Sequence, residues 1–397
     1  MTYHKPKFIV KKNLQKSNQT GTFFSDSITP DVLKDVCMRV AGTSDFEYEY
    51  VDNSYSDDTL EATYNKGRLA ILHYDSKVAY ISFSENEING RNSSVQSVPT
   101  AFNNYYMNHQ PNKELYYYFL NSSGNAETDY HVLIYRLMKT IGFVFINESA
   151  LETQIDPFIS VEDLMHSRRI NTGRNRSNNS TYITKSTSKN VDIYGKTYGA
   201  SKYETSMICY ALSKLAKNTH ILTLYEVLEK DLKELPKSSL SVLKDMGNIT
   251  IIPTSLVLDK KVFEKKDNLR SPRYIYNLLK RIGPKKCALC DCEIPELIQG
   301  AHIWPVSQIK RNNTLSLDDK LNYALDGNNG IWLCQNHHKL FDENIITISD
   351  EMEVEFDSKI TGIDERYLSE ITKKREIDEK YISIDFRFYL DKRRLTI

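Results

Sequence analysis

The sequence has no apolar run long enough to span a bilayer and no low-complexity tract, and its formal net charge is zero. A neutral chain lacks the overall positive field that draws proteins onto nucleic acids, so any affinity for DNA must come from local basic patches. The first residues are polar and rich in Lys, unlike the apolar core of a signal peptide. These absences predict a cytoplasmic protein without a membrane segment.

Cysteine is scarce and unevenly distributed. The chain has six Cys in 397 residues. Four of them lie close together, namely Cys287, Cys290, Cys292 and Cys334. Disulfide frameworks are typical of small secreted domains, whereas a Cys cluster in a long chain is typical of a metal site. The length itself predicts two or three domains.

Two pairs of potential metal ligands stand out in the C-terminal third. Cys287 and Cys290 form a Cys-x-x-Cys pair, and Cys334 and His337 form a Cys-x-x-His pair. Zn²⁺ prefers four tetrahedral Cys and His ligands, so the pairs predict one closed, structural zinc site. Four unligated side chains are the alternative, and Cys292 could replace Cys290. A closed site leaves no open position for catalysis, so this zinc is expected to hold the fold together.

Three further motifs lie between and after the two pairs. They are Ala301-His302-Ile303-Trp304-Pro305, Asn329-Gly330-Ile331-Trp332-Leu333-Cys334 and His338-Lys339-Leu340-Phe341-Asp342. Their order and spacing resemble the HNH endonucleases of the ββα-metal superfamily, of the zinc-stapled type found in restriction endonucleases. The resemblance covers about residues 284 to 350 and implies a small zinc-bound nuclease domain. It says nothing about residues 1–270.

The resemblance implies a role for each matching residue. His302 is expected to be the general base, as a neutral imidazole near its ordinary pKa. Asn329 is expected to orient His302 by hydrogen bonding, and His338 to bind one catalytic Mg²⁺ or Mn²⁺. Ala301 stands where the family often has a metal-binding Asp or His, so the second protein ligand is open. Asp342, one helical turn after His338, is either that ligand or a partner of nearby backbone.

The rest of the chain mixes strands and helices. Residues 1–27 form a polar, basic segment, and residues 28–270 form a β-rich and α/β region expected to recognise DNA, with a subdomain split near 150–185. Residues 271–397 form the nuclease domain with a C-terminal extension. The predicted fold class is therefore mixed α/β, or α+β, with a small ββα-metal domain at the C-terminus.

Hydrophobic periodicity and turn residues add local expectations. Helices are predicted over 30–40, 129–141, 160–170, 201–217, 239–246 and 271–282. An antiparallel sheet is predicted from strands within 47–83, including Leu60–Tyr64, and 114–120 is a candidate for one further strand. A strand that begins at Ile249 is expected to stop at Pro253. Alternating residues predict a further strand over Tyr381–Tyr389.

The loop over 168–180 is the most basic polar stretch and has no acidic residue. Its arginines are Arg168, Arg169, Arg174 and Arg176. Arginine can contact both phosphates and guanine edges, so the loop is a candidate DNA contact, with a solvated loop as the alternative. A second nuclease centre around Asp192 and Glu204 is disfavoured, because the strand there lacks the acid-x-Lys motif that such centres need.

Size and resemblance together imply a sequence-directed double-stranded DNA endonuclease, most simply a type II restriction enzyme that leaves 5′-phosphate and 3′-hydroxyl ends. Such an enzyme is expected to act as a homodimer. Its cognate DNA methyltransferase would belong to the same system without being a stable subunit. Two alternatives remain open, a nuclease that reads a modified base and a zinc-stapled DNA-binding protein without catalysis.

Overall fold

The chain divides into two compact units. The computed structural model describes residues 30–52, 68–83, 98–119, 129–147, 154–172, 181–185, 189–195, 201–228, 235–255, 259–260, 263 and 271–395. The first unit comprises 1–181, 196–218 and 233–249, and the second comprises 182–195, 219–232 and 250–397. Within the described residues, no helix is both long and apolar enough to cross a membrane.

The first unit combines a sheet with helices. Its helices are α1 (Pro30–Ala41), α2 (Val98–Met107), α3 (Asp129–Ile141), α4 (Val161–Thr172), α5 (Ser201–Ala216) and α6 (Lys237–Asp245). Its strands are β1 (Glu47–Asp52), β2 (Arg68–Tyr74), β3 (Lys77–Phe83), β4 (Lys113–Tyr118) and β5 (Val144–Ile146). The helices predicted from the sequence in this unit are confirmed. The predicted strand Leu60–Tyr64 lies outside the described residues.

The sheet of the first unit has the strand order β1-β2-β3-β4-β5. Strands β1 to β3 are antiparallel, whereas β3 pairs with β4, and β4 with β5, in parallel. The antiparallel sheet predicted within 47–83 is therefore confirmed for β1 to β3, and β4 adds a parallel strand to it. Asp75 and Ser76 join β2 to β3 with positive φ angles of 48° and 69°, as tight hairpins require. Helices α2 and α3 instead connect the later strands, and a helical crossover returns the chain for parallel pairing.

One face of this sheet packs on the first helix. Leu33, Val36 and Cys37 of α1 are buried against Leu72 of β2 and Ile81 of β3. These three helical residues are spaced so that they share one face, which explains why α1 lies flat on the sheet.

The second unit contains a further sheet and the nuclease-like stretch. Its strands are β6 (Thr181–Lys185), β7 (Asn190–Gly195), β8 (Ile221–Leu228), β9 (Ile249–Ser255), β10 (Ile298–His302), β11 (Gly330–Cys334), β12 (Ile346–Ile348) and β13 (Val354–Phe356). Its helices are α7 (Pro272–Ile282), α8 (Val306–Arg311), α9 (Leu317–Leu325), α10 (Gln335–Asp342), α11 (Ile363–Ile371) and α12 (Ile384–Arg394), with a 3₁₀ turn over Glu379–Tyr381. The predicted mixed α/β fold, with a small separate motif of strands and helices in the C-terminal part, is confirmed.

Strands β6 to β9 form a four-stranded sheet in chain order, with β7 and β8 parallel. Strand β9 runs through Pro253 to Ser255, so the prediction that it stops at the proline is wrong. Strand β9 is last in the sheet order, and Pro253 is exposed. An edge strand tolerates proline because the missing N–H has no neighbouring strand to bond.

Helix α7 forms as predicted and packs against the antiparallel pair of β10 and β11. Ser271 caps it by accepting a hydrogen bond from the backbone N–H of Arg273 at 3.1 Å. A Cβ atom on Gly300 would overlap Leu278 of this helix, and one on Gly330 would overlap Tyr274. The two strands can therefore approach α7 only because glycine lies at both positions.

The last described element is a helix where the sequence predicted a strand. Helix α12 occupies most of the stretch Tyr381–Tyr389, so that prediction is wrong. Ser383 caps the helix by accepting from Phe386 N at 3.0 Å. The buried positions Phe386, Tyr389, Leu390 and Arg393 follow the three- and four-residue spacing of a helix. Of the alternating apolar residues Ile382, Ile384, Phe386 and Phe388, only Phe386 is buried.

Candidate active site and metal centre

The four predicted zinc ligands lie together. One ligand atom from each of Cys287, Cys290, Cys334 and His337 falls within 4.8 Å of every other. The first pair lies in the turn after α7, Cys334 ends β11, and His337 lies in the first turn of α10. Three sulfurs and one imidazole nitrogen at this spacing suit a tetrahedral metal of the zinc type. The cluster therefore suggests a bound metal ion.

The surroundings of the cluster orient its ligands. His337 is buried, and its Nδ1 lies 3.1 Å from the Cys334 sulfur, while its Nε2 lies 3.2 Å from the Thr372 hydroxyl. Metal-binding imidazoles usually bond through their second nitrogen in this way. The neighbouring Cys287 thiol holds the pKa of Cys334 well below its usual range. Cys292 is outside the cluster and instead accepts the Cys287 N–H through its carbonyl at 3.0 Å.

His302, the predicted general base, ends β10 with its ring partly buried. Its Nε2 lies 2.9 Å from the Ala324 carbonyl oxygen. A carbonyl can only accept, so Nε2 carries the ring hydrogen and Nδ1 keeps its lone pair. The ring also stacks on Tyr274, with centroids 3.9 Å and planes 10° apart. Burial lowers the pKa of His302 to about 4, below the ordinary value expected from the sequence, so the ring is neutral at pH 7.

Asn329 acts on the backbone around His302, and no hydrogen bond joins the two side chains within the described residues. Its amide accepts from Trp304 N at 2.7 Å and donates to Trp304 O at 3.2 Å and Tyr323 O at 3.0 Å. The direct hydrogen bond expected from the sequence is therefore corrected. Trp304 follows His302 by two residues, and Tyr323 precedes Ala324, so Asn329 ties together the segments that carry the ring and its acceptor.

His338 and Asp342 lie one turn apart on α10 and face each other. The His338 Nε2 is 3.5 Å from an Asp342 carboxylate oxygen, and its Nδ1 is 2.9 Å from the amide oxygen of Gln299 on β10. The amide oxygen can only accept, so Nδ1 carries the hydrogen and the Nε2 lone pair is directed towards Asp342. Within the described residues the Asp342 carboxylate contacts His338 and has no hydrogen bond to a backbone group, which disfavours that alternative.

The spacing of His338 and Asp342 suits a divalent ion. Imidazole nitrogen and carboxylate oxygen are suitable ligands for Mg²⁺ or Mn²⁺. Octahedral bonds of about 2.1 Å place neighbouring ligand atoms about 3 Å apart. The His338–Asp342 separation of 3.5 Å is close to that value, so the pair fits one divalent ion. Ala301 is fully buried in β10 and offers no ligand atom.

These side chains line one cleft of about 800 Å³. His302, His338 and Asp342 all face it, together with Lys285 and Tyr225. None of the Cys₃His cluster lines the cleft. His337 and His338 are adjacent on α10 and so point to different faces of the helix. One side of α10 therefore faces the metal cluster, and the other faces the cleft.

Comparison with known proteins identifies this stretch. The family model described as HNH endonuclease matches residues 287–349. This part of the chain is an HNH endonuclease domain. The domain supports a nuclease that acts on DNA, and its Cys₃His cluster suggests a bound metal. A search of curated proteins found no match.

Two connections of the HNH domain escaped sequence reasoning. Arg393 of α12 donates to the carbonyl oxygens of Ile303 and Phe341 and to the Asn344 side chain. Gln299 holds His338, as described above. Arg393 and Gln299 are both far in the sequence from the residues that they bond, and neither belongs to a motif with a recognisable spacing. Only the folded chain shows that they lie at the site.

The predicted DNA-binding arginines lie away from the HNH domain in the sequence. Arg168 is buried on α4, and its guanidinium lies 3.0 Å from the Glu204 carboxylate of α5. A buried, paired guanidinium is poorly placed to meet a phosphate, so this geometry disfavours the expected contact for Arg168. The side chain of Arg169, together with Arg174 and Arg176, lies outside the described residues.

Proposed function

We propose that this protein is a sequence-directed double-stranded DNA endonuclease, of the type II restriction class with a zinc-stapled HNH domain. The observation that carries the proposal is the shared cleft, which places an imidazole with a free Nδ1 beside a histidine–carboxylate pair. A base for water and a ligand pair for a divalent ion are the two elements that phosphodiester hydrolysis requires.

The reaction follows from the positions of these groups. The lone pair on Nδ1 of His302 removes a proton from a water molecule as the water oxygen bonds to phosphorus. The bond from phosphorus to the 3′ oxygen breaks, and that oxygen leaves with the electron pair and then takes up a proton. The products are a 5′ phosphate and a 3′ hydroxyl. Because His302 is neutral at pH 7, it is already in the form that accepts the proton.

His338 and Asp342 would hold one Mg²⁺ or Mn²⁺ ion, which when bound stabilises the negative charge on the departing oxygen. Gln299 positions His338 by fixing its tautomer, and Asn329 positions His302 through the backbone on either side. Cys287, Cys290, Cys334 and His337 would hold a structural Zn²⁺. Separate sites let each ion keep the ligands that it prefers.

The remaining region would choose the DNA. We propose that residues 28–270 recognise the target, after a basic segment over 1–27, and that residues 271–397 are the nuclease domain. Arg169, Arg174 and Arg176 are the proposed contacts of the basic loop. Two-fold symmetry of duplex DNA favours a homodimer, since each copy can cut one strand. The protein would act in the cytoplasm beside a cognate DNA methyltransferase that is not a stable subunit.

A plasmid assay tests the nuclease. Purified protein is incubated with supercoiled plasmid and Mg²⁺ or Mn²⁺, and EDTA should abolish the expected linear product. His302→Ala should cut at least about a hundredfold more slowly, because a positioned base contributes about 10²–10⁴-fold. His338→Ala should also be slow but partly recover at high Mn²⁺, while His109→Ala, at an exposed position, serves as the control.

The outcomes separate the proposal from its alternatives. Cutting by His302→Ala at the wild-type rate would remove the assigned base and with it the proposal. Binding without any cutting would favour the zinc-stapled DNA-binding protein. Cutting restricted to methylated DNA would favour a nuclease that reads a modified base. Sequencing of the ends gives both the chemistry of the termini and the recognition site.

A further inference from the structure

A positively charged side chain lines the nuclease cleft. The side chain of Lys285 is 17% exposed, and its ammonium lies 3.7 Å from a carboxylate oxygen of Asp192 and 3.4 Å from the Tyr225 hydroxyl. Both distances exceed the roughly 2.7–3.2 Å of strong hydrogen bonds. An ammonium has three donors, so this one can still bind a further acceptor from the cleft.

The charge of the cleft makes this lysine important. Among the described residues that line the cleft, Lys285 is the only Lys or Arg, and Asp342 is the only acidic one. The chain as a whole has no net charge. An anionic DNA strand that enters the cleft is therefore attracted by this ammonium more than by any general field of the protein.

The backbone around Lys285 is firmly connected to the HNH core. Trp332 of β11 donates its indole N–H to the Gly283 carbonyl at 3.1 Å. The Trp332 carbonyl in turn accepts from Ala288 N at 2.8 Å. The segment that carries Lys285 is thus held at both ends by the strand that leads into α10. Asp192 is almost fully buried and limits where the ammonium can lie.

We propose that Lys285 binds a backbone phosphate beside the scissile one, and that Asp192 and Tyr225 hold its side chain in the cleft for this purpose. The inference rests on the proposed function, since it places the cut strand in this cleft. Lysine binds phosphate as a compact point charge, which suits a contact that is independent of sequence. The subsite would position the strand for His302 and would not take part in bond breaking.

Salt dependence of binding tests the subsite. Affinity for a short duplex of mixed sequence is measured at several salt concentrations, with all variants made in a His302→Ala background so that the DNA stays intact. Each lost phosphate contact lowers the slope of log K against log salt by about one. Lys285→Gln should show this decrease, and Lys285→Arg should not. Lys286→Gln is the matched control, because Lys286 is exposed and pairs with Glu293 at 2.5 Å.

A second comparison guards against misfolding. Lys285→Gln removes a cation beside the buried Asp192, so Asp192→Asn with Lys285→Gln removes both charges and should show the same decrease. Asp192→Asn alone keeps the ammonium but no longer holds it in the cleft, so affinity should fall while the slope decreases by less than with Lys285→Gln. An unchanged slope in the double variant, or an equal decrease with Lys286→Gln, would overturn the inference.

The nuclease assay separates this inference from the proposed function. If the protein without substitutions cuts plasmid and the slopes do not change, the subsite fails while the nuclease stands. If the slope decreases as expected but no cutting occurs with any divalent ion, the nuclease assignment fails while the phosphate contact stands.

Discussion

Arg393 offers a sharp test of how the catalytic cleft is held together. It donates to the Ile303 carbonyl at 3.1 Å and to the Phe341 carbonyl, and its guanidinium lies 3.9 Å from the centre of the Phe341 ring. Ile303 follows His302, and Phe341 precedes Asp342. This one side chain therefore connects the segment that carries His302, the proposed base, to the helix that carries His338 and Asp342, the proposed ligands of the catalytic ion.

Arg393→Met removes these contacts and should lower the free energy of unfolding. The Ile303 carbonyl loses its partner, and an unsatisfied buried acceptor costs about 1–3 kcal/mol. The Phe341 carbonyl keeps the Asn344 N–H at 3.1 Å, and the lost cation–π contact adds about 1 kcal/mol. Burial lowers the pKa of Arg393 to about 10, so the charge is disfavoured in the folded state and its removal offsets part of the loss. The expected net destabilisation is about 2–3 kcal/mol.

Tryptophan fluorescence is a suitable assay, because both Trp residues of the chain, Trp304 and Trp332, are buried in the HNH domain. Urea unfolding at a fixed zinc concentration should show the loss for Arg393→Met. Arg394→Met is the control. Arg394 is partly exposed, pairs with the exposed Asp350 and donates to the Ile348 carbonyl at 2.7 Å, so its loss should cost about 1 kcal/mol, less than the loss of Arg393.

Activity should decrease beyond the loss of folded protein. At temperatures where Arg393→Met remains folded, cleavage should still be about tenfold to a hundredfold slower, because small displacements of reacting groups are costly. Equal stabilities for the two arginine variants would refute the energetic reasoning. A decrease of about 2–3 kcal/mol in the free energy of unfolding, with cleavage at the wild-type rate, would show that Arg393 stabilises the fold without positioning the site.

Three further outcomes are expected. Cys334→Ser should lose zinc, by metal analysis, and misfold, because structural zinc supplies folding energy. The pKa of His302 is lowered from 6.5 to about 4, so the stability from its neutral ring is complete above about pH 6.5 and is lost as the pH falls towards 4. His302→Ala should therefore lose less stability than the wild type between pH 7 and pH 5 in urea unfolding. Arg168→Gln should destabilise by about 3–5 kcal/mol without changing the salt slope of DNA binding, whereas Arg174→Ala with Arg176→Ala should lower that slope by about two.

Local spacing explains which parts of the site could be predicted. The Cys-x-x-Cys and Cys-x-x-His pairs bring ligands together over one or two turns, so the sequence was sufficient to propose the Cys₃His cluster. The shared face of His338 and Asp342 follows from helical geometry in the same way. The hydrogen-bond acceptor of His302 could not be predicted from the sequence, because the Ala324 carbonyl is a backbone group that any residue could supply.

The predicted fold was incomplete or wrong where connections and packing decide the outcome. The residues of β3 and β4 favour strands in either direction, and only the intervening α2 makes their pairing parallel. The end of the chain was mistaken for a strand because aromatic and β-branched residues over 381–389 favour strands. This stretch forms a helix because Ser383 caps it and because one face, with Phe386 and Tyr389, is buried.

The HNH motif of this chain depends on residues that the motif does not contain. Tyr274 of α7 stacks on His302 from before the matched residues 287–349, and Arg393 of α12 holds the Ile303 carbonyl from after them. Thr372 holds His337 from the same C-terminal side. A fragment limited to 287–349 would keep every motif residue but lose the contacts that orient His302, the proposed base, and His337 of the Cys₃His cluster. The nuclease domain must therefore extend on both sides of its recognisable sequence.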